Sequence, residues 1–237
     1  MAIDVHNHIG RDKDGKYQSI DKLKHNMKAY GIEKAVIFPF NEQSDLISAS
    51  RKLLSYKSNA IIPFLRFNPK TVGIEEIEKQ LEENNFAGVK LHPKSQDFDP
   101  LNKRYYEIYR TIQKFSIPVL FHTKKENNEN TDPDRIKTLA ARFPKLKIIL
   151  GHFAGESNEA LKYLKTHNNL YVETSIFSAS GILDMIIKTT DQNRILFGSD
   201  TPYSDMEIEI LKIKKSGLTE NQKEKVLYYN AAKLLQI

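Results

Sequence analysis

Apolar positions recur along this chain in two alternating patterns. Eight short runs are nearly continuous in aliphatic and aromatic residues: AIDVH (2–6), KAVIFPF (34–40), AIIPFLRF (60–67), FAGVKLH (86–92), IPVLFH (117–122), LKIILGH (146–152), NLYVETS (169–175) and RILFGSD (194–200). Runs of this length and β-branched content suit strands buried on both faces, as in a parallel sheet. Between them the spacing turns helical. Ile20, Leu23 and Met27 follow i, i+3, i+7 behind Ser19, and Ile74, Ile77 and Leu81 repeat that spacing inside GIEEIEKQLEEN. Ile136, Leu139, Ala140 and Phe143 follow Pro133, and TENQKEKVLYYNAAKLLQ predicts a closing helix. Each stripe faces the sheet while Lys and Glu face water.

Eight strand–helix alternations, at about 30 residues per unit, predict an α/β protein with a (β/α)8 barrel of the TIM type. The rival, a doubly wound open sheet, usually carries a glycine-rich loop after its first strand. Here that strand leads into HNHIGRDKDGKYQ, which has no such loop. No linker or low-complexity run divides the chain, so one domain, 1–237, is expected.

Composition narrows the class. Hydrophobic residues make up 40% of the 237 positions, enough for a large core. No apolar run reaches the roughly 18 residues of a membrane span, so no membrane partner is expected. The first ten residues hold Asp4, His6 and His8 and do not read as a secretory signal, which makes the cytoplasm the expected location. The absence of cysteine excludes disulfides, thiolate ligands and a cysteine nucleophile. The net charge of +6 raises the question of nucleic acid. The lysines, however, are dispersed over helical outer faces, so no nucleic-acid partner is expected. The expected partner is a small-molecule substrate, and homo-oligomerisation is left open.

In such a barrel the chemistry collects at the C-terminal ends of the strands. Five of the seven histidines fall there: His6 and His8 at the first strand, His92 after the fourth, His122 after the fifth and His152 after the sixth. Asp200 closes the eighth run, while His25 and His167 fall in predicted helices. Side chains alternate along a strand, so His6 and His8 share a face if pairing continues through Asn7. Barrel closure then gathers His122, His152 and Asp200 at the same rim. Imidazole and carboxylate donors suit zinc first, with manganese, iron or nickel also admitted. Alternation puts Asp4 on the same face as His6, where it either orients that ring or satisfies polar groups at the floor. Arg66 and Asn68 end the third run, and Arg11 and Lys94 lie in mouth loops; each either binds a substrate carboxylate or is solvated. Glu173, Thr174 and Ser175 end the seventh run, and alternation places only part of that trio in the pocket. The polar segment 122–135 is either a lid or an exposed loop.

The motifs DVHNHIG, GVKLHP with FDPLN, PVLFH, IILGH and ILFGSDTPY resemble the amidohydrolase superfamily, specifically its amidohydrolase-2 group, which includes aminocarboxymuconate-semialdehyde decarboxylases and lactone hydrolases. The resemblance runs from residue 2 to about 205. It implies His6, His8, His122 and Asp200 as ligands of a divalent metal, with Asp200 also the base. His152 would polarise the substrate or hold a second metal. Lys90 would be either a carboxylated bridge between two metals or a lysine paired with a carboxylate. His92 would line the pocket or order the loop after it. The implied activity is hydrolysis of an amide, ester or lactone of a small substrate, anionic or neutral, by metal-activated water. The alternative is non-oxidative decarboxylation of a small unsaturated or aromatic acid. Phosphoester hydrolysis ranks lower, because TatD-like nucleases carry glutamate where this chain has Lys90. A binding barrel without catalysis ranks lower too, because the full ligand set is present.

Overall fold

The computed structural model describes residues 1–125, 129–156, 160–177 and 192–237. Residues 126–128, inside the segment read as lid or loop, lie outside that set. Eight parallel strands follow one another around a ring: β1 (Ile3–Arg11), β2 (Lys34–Pro39), β3 (Ile61–Pro63 and Leu65–Arg66, joined through Phe64), β4 (Val89–Leu91), β5 (Val119–Phe121), β6 (Ile148–Leu150), β7 (Leu170–Glu173) and β8 (Ile195–Leu196). Each pairs in parallel with the next, from Ile3↔Lys34 through Leu65↔Val89 to Val172↔Ile195. The ring closes where Val5 N–H donates to Phe197 O (3.0 Å), Asp200 N–H to His6 O (2.9 Å) and His8 N–H to Thr201 O (2.9 Å). The protein is therefore a (β/α)8 barrel, and closure leaves its parallel strands without a free edge.

The helices form where the apolar stripes place them. α1 (Ile20–Tyr30) starts at Ser19, whose side chain accepts from Lys22 N–H, and buries Ile20, Leu23 and Met27. α2 (Leu46–Leu53), α3 (Ile74–Asn84) and α4 (Tyr106–Lys114) follow. α5 (Pro133–Arg142) begins with Pro133 behind the Asp132 cap, where a missing N–H costs nothing. α6 (Met206–Lys214) precedes the closing segment of α7 (Glu220–Glu224), a π-helical turn (Lys225–Tyr229) and α8 (Asn230–Leu235). Among the described residues no helix is long and apolar enough to cross a membrane.

Two apolar clusters separate inside from outside. Ala35, Ile37, Val89, Leu91, Val119, Phe121, Ile148 and Leu150 face outward and pack against the helices. Their neighbours Val36, Phe38, Ile62, Phe64, Leu120, Ile149 and Leu196 fill the interior, sealed from below by Ala231, Leu234 and Leu235 of α8. The same period of two then delivers Arg66, Lys90 and Glu173 to the interior one step nearer the C-terminal end. β1 needs a correction to this rule. Its inward residues at the floor are Ile3 and Val5, whereas higher up they are His6 and His8. A bulge between Asp4 and Asn7, where Val5 and His6 oppose the single Val36 of β2, changes the phase. Asp4 therefore does not share a face with His6; its Oδ1 accepts the N–H groups of His6 (3.1 Å) and Ser199 (3.0 Å).

After β6 the chain turns through a left-handed segment, with φ of 51°, 51°, 57° and 70° at His152, Phe153, Ala154 and Gly155. Each non-glycine residue there costs about 1–2 kcal/mol. A Cβ at Gly155 would stand 2.9 Å from Lys124 Cα, so this glycine permits the close approach recorded by the Lys124–Gly155 bridge.

The barrel floor is testable through α8. Leu234→Ala is expected to lower the unfolding free energy by about 2–5 kcal/mol, read as a lower urea midpoint at unchanged slope. A loss below about 1 kcal/mol would show that α8 does not seal the interior.

Candidate metal centre and active-site cavity

A cavity of about 460 Å³ opens at the C-terminal ends of the strands, its wall formed in part by His8, Arg66, Lys90, His122, His152 and Asp200. Asp200 stands at its base. Its Oδ1 lies 3.0 Å from His6 Nε2 and 3.1 Å from His8 Nε2. Lys90 Nζ is 3.2 Å from the same His6 Nε2. One imidazole further on, His152 Nε2 faces His122 Nδ1 at 2.9 Å. The His122 ring stacks on His92, centroids 3.8 Å apart.

Glu173 organises the far side of these rings. Its Oε1 lies 3.0 Å from His6 Nδ1, 2.6 Å from the His152 backbone N–H and 2.9 Å from Ser175 Oγ; Oε2 accepts from Ser175 N–H at 2.7 Å. Ser175 Oγ in turn meets His152 Nδ1 at 3.0 Å. The Nδ1 protons of both rings are thereby directed to this carboxylate, one directly and one through the serine, which leaves His6 Nε2 facing Asp200 and Lys90 and His152 Nε2 facing His122. Gly198 lies against Glu173 with no room for a Cβ, which is why the eighth run carries glycine there.

The electrostatics follow from burial among few counter-charges. Burial alone would raise the Glu173 and Asp200 carboxyls. His6 and its neighbours instead hold Glu173 at about 2 and Asp200 well below the usual carboxylate range. Burial lowers His8 to about 3 and His152 to about 4, so both rings are neutral. Burial, helped by Arg66, lowers Lys90 to about 7. For His6, burial and Lys90 oppose protonation, but Asp200 and Glu173 prevail and raise it. A proton and a cation therefore compete for His6 Nε2.

The donor set fits a divalent cation. Ligand atoms of His6, His8 and Asp200 all lie within 4.8 Å of one another, as do those of His6, His152 and Glu173. In the second group Glu173 is already engaged by hydrogen bonds, so the first group is the better cradle. His122 is outside both groups and pairs with His152.

The remaining expected residues divide. Arg66 is buried on the cavity wall. His92 does both things asked of it, lining the cavity and accepting the Ser95 N–H on Nδ1 at 3.3 Å. Arg11 is not brought to the cavity: it is exposed, with its guanidinium 5.1 Å above the Tyr17 ring, because β1 runs on into a short antiparallel pairing with Tyr17–Gln18. Asn68 is absent from the wall as well, since its Oδ1 accepts Lys70 N–H (3.0 Å) within a turn. Glu173 and Ser175 carry more than the sequence reading assigned them. Their signal is parity: Glu173 is two residues beyond the interior Tyr171, in phase with the barrel floor.

The Amidohydrolase family model matches residues 3–237, and the chain belongs to that family. Among curated sequences it is similar to the dihydroorotase of Buchnera aphidicola subsp. Schizaphis graminum, 28% identical over 171 residues, covering 61% of this chain and 47% of the relative. It is also similar to the dihydroorotase of Helicobacter pylori strain G27, 25% identical over 203 residues, covering 78% and 57%. The chain thus spans about half the length of the curated relatives it matches. Among solved structures, 2,6-dihydroxybenzoate decarboxylase from Rhizobium superposes with a TM-score of 0.80 at 16% identity, over 99% of this chain and 98% of that one. A dihydroxybenzoic acid decarboxylase from Polaromonas sp. JS666, with bound manganese, superposes at 0.78 and 15% identity, over 99% and 96%. At these identities the likeness is one of fold.

Glu173→Gln keeps the shape and removes the charge that directs both Nδ1 protons. Affinity for zinc, measured by chelator competition, is expected to fall about 10–100-fold. Unchanged affinity would mean that Glu173 serves the fold alone.

Proposed function

We propose that the chain is a metal-dependent hydrolase acting at the carbonyl carbon of an amide, ester or lactone in a small molecule. The observation that supports this most is the division of the donors into two groups, with a buried lysine amine beside the first. His6 Nε2, His8 Nε2 and Asp200 Oδ1 converge at 3.0–3.1 Å, and His122 Nδ1 and His152 Nε2 converge at 2.9 Å. In this reading the first group holds one divalent cation and the second pair holds another. Zinc is proposed first, since neutral imidazoles and carboxylate suit it; manganese shares the donor chemistry. When bound, such cations supply Lewis acidity to this end of the cavity.

The chain's own residues do the rest. Asp200, ionised and 3% exposed, accepts a proton from the attacking water and returns it to the leaving group. His8 and His152 are neutral through burial, whereas Asp200 and Glu173 favour the protonated form of His6, so cation binding and loss of the His6 proton go together. Lys90 is kept near neutrality by burial, which leaves its amine a nucleophile. Reaction of that amine with CO2, with loss of one proton, gives a carbamate whose two oxygens would reach toward both donor groups.

A second reading, decarboxylation of a small aromatic or unsaturated acid, has its own support. Arg66 lines the cavity as a buried cation, which suits an acid substrate, and the decarboxylases share the fold over nearly the whole chain. Asp200 would then steer a proton to carbon rather than to a leaving group. Parallel assays of CO2 release and of ring opening on a panel of lactones and N-acyl amino acids separate the two.

The metal count tests the first reading. Elemental analysis of the purified protein is expected to give two divalent ions per chain, falling to one or fewer in Lys90→Met. One ion in both proteins would remove the bridging role of Lys90. Asp200→Asn is expected to lower kcat by about 10²–10⁴ on whichever substrate turns over. Turnover at the wild-type rate would exclude Asp200 as the proton carrier.

A further inference from the structure

The cavity wall is polar with one exception. Among the described residues that line it, Ile176 is the one aliphatic side chain; the rest are charged, amide, hydroxyl, imidazole or phenol groups. Ile176 follows β7 and is 38% exposed. Its φ of 62° places a β-branched residue in the left-handed region. Such a side chain rarely adopts that conformation, and it persists only where the surroundings impose it.

Here they do impose it. On one side of Ile176, Ser175 is fixed to Glu173 through its N–H (2.7 Å) and its hydroxyl (2.9 Å). On the other, Phe177 packs on Phe153. From behind, Glu209 of α6 reaches the strained residue itself. Its Oε1 accepts the Ile176 N–H at 3.2 Å and the Ser204 hydroxyl at 2.7 Å. Glu209 is buried, and Lys212, one turn further along α6, pairs with its Oε2 at 2.5 Å. The same ammonium donates to Thr174 O (3.2 Å) and Phe177 O (2.7 Å), so the pair grips the loop on both sides of Ile176.

Burying an ion pair is a poor source of stability. Fold stability does not explain directing this one to a half-exposed isoleucine, since glycine would take the same backbone conformation without strain. The position of the side chain does explain it, because the clamp holds an apolar surface against an otherwise polar cavity.

We propose that Ile176 is a specificity-determining residue and that Glu209 and Lys212 are the positioning pair that holds it. The molecule processed here then carries an alkyl or ring substituent that packs on Ile176 at β7 while its reacting group lies at β1 and β8. This rests on the cavity being the substrate site of the proposed hydrolase. It narrows the substrate class from amides, esters or lactones in general to those with an apolar arm beside the reacting group.

The test is titration calorimetry of the zinc-loaded protein with acetohydroxamate and hexanohydroxamate, which share a chelating group and differ only in the alkyl chain. Wild type is expected to bind the longer probe about 10–60-fold more tightly, the worth of two or three buried methylene groups. Ile176→Gly is expected to bring that ratio below about 4-fold, the worth of one methylene, with zinc content retained. Glu209→Leu, which leaves Ile176 in place but removes both acceptors, is expected to lower the ratio similarly. Glu209→Gln keeps an acceptor for the Ile176 N–H and is expected to recover part of the preference; it decides the matter if Glu209→Leu does not fold. No preference in wild type, or the wild-type ratio in Ile176→Gly, overturns the proposal. A Glu209→Leu protein that melts lower but keeps the wild-type ratio overturns the positioning role. Hydrolysis of 4-nitrophenyl hexanoate by the wild type, with and without chelator, is read separately. An Ile176-dependent chain-length preference without chelator-sensitive hydrolysis leaves Ile176 standing and removes the hydrolase reading, and the reverse result removes only the role of Ile176.

Discussion

Closure of the eighth strand onto the first is the constraint on which the site depends. Three backbone hydrogen bonds, Val5 to Phe197, Asp200 to His6 and His8 to Thr201, complete the ring. The same three place a carboxylate from the end of the chain against two imidazoles from its beginning. The side-chain distances of 3.0 and 3.1 Å between Asp200 and His6 or His8 are consequences of that backbone register. A shift of one residue would turn Asp200 out of the barrel. Stability and chemistry are therefore coupled here: whatever loosens the last strand disperses the donors.

The interior beneath the site is apolar, and its polar upper layer is expensive to bury. That layer is held by a shared acceptor. Glu173 takes hydrogen bonds from His6, Ser175 and the His152 backbone, and the charge of His6, with the bonds from His6 and Ser175, keeps it ionised despite complete burial. The left-handed turn after β6 belongs to the same arrangement. Its strain is concentrated at His152, Phe153 and Ala154, where the His152 N–H reaches Glu173 and Phe153 packs on Phe177 with centroids 4.4 Å apart. A strained backbone that persists only because its surroundings over-determine it is a common feature of sites that must hold a side chain still.

Much of this could be read from the sequence because barrel strands are short, apolar and regularly spaced. The eight runs, the helix starts at Ser19 and Pro133, and the gathering of His6, His8 and Asp200 all follow from local pattern plus closure. What could not be read depends on departures from pattern. The bulge between Asp4 and Asn7 carries no residue signature, so the phase of β1 at Asp4 was out of reach. The left-handed turn contains only one glycine, Gly155, to announce it. Arg11 is carried off by the antiparallel pairing of β1 with Tyr17–Gln18, and Asn68 lies in a turn, where direction depends on turn geometry rather than alternation. Glu173 was legible in principle through its parity with Tyr171, but it looks like any acidic residue near a strand end until the rings it bonds are in place.

The central claim is that these side chains form two cation cradles rather than a set of mutual hydrogen bonds. Anomalous diffraction from crystals grown with zinc tests it most directly. The account predicts one peak within bonding distance of His6 Nε2, His8 Nε2 and an Asp200 oxygen, and a second bonded to His122 Nδ1 and His152 Nε2. Zinc bound elsewhere on the chain, with the Asp200–His6–His8 cluster closed on itself, would contradict it.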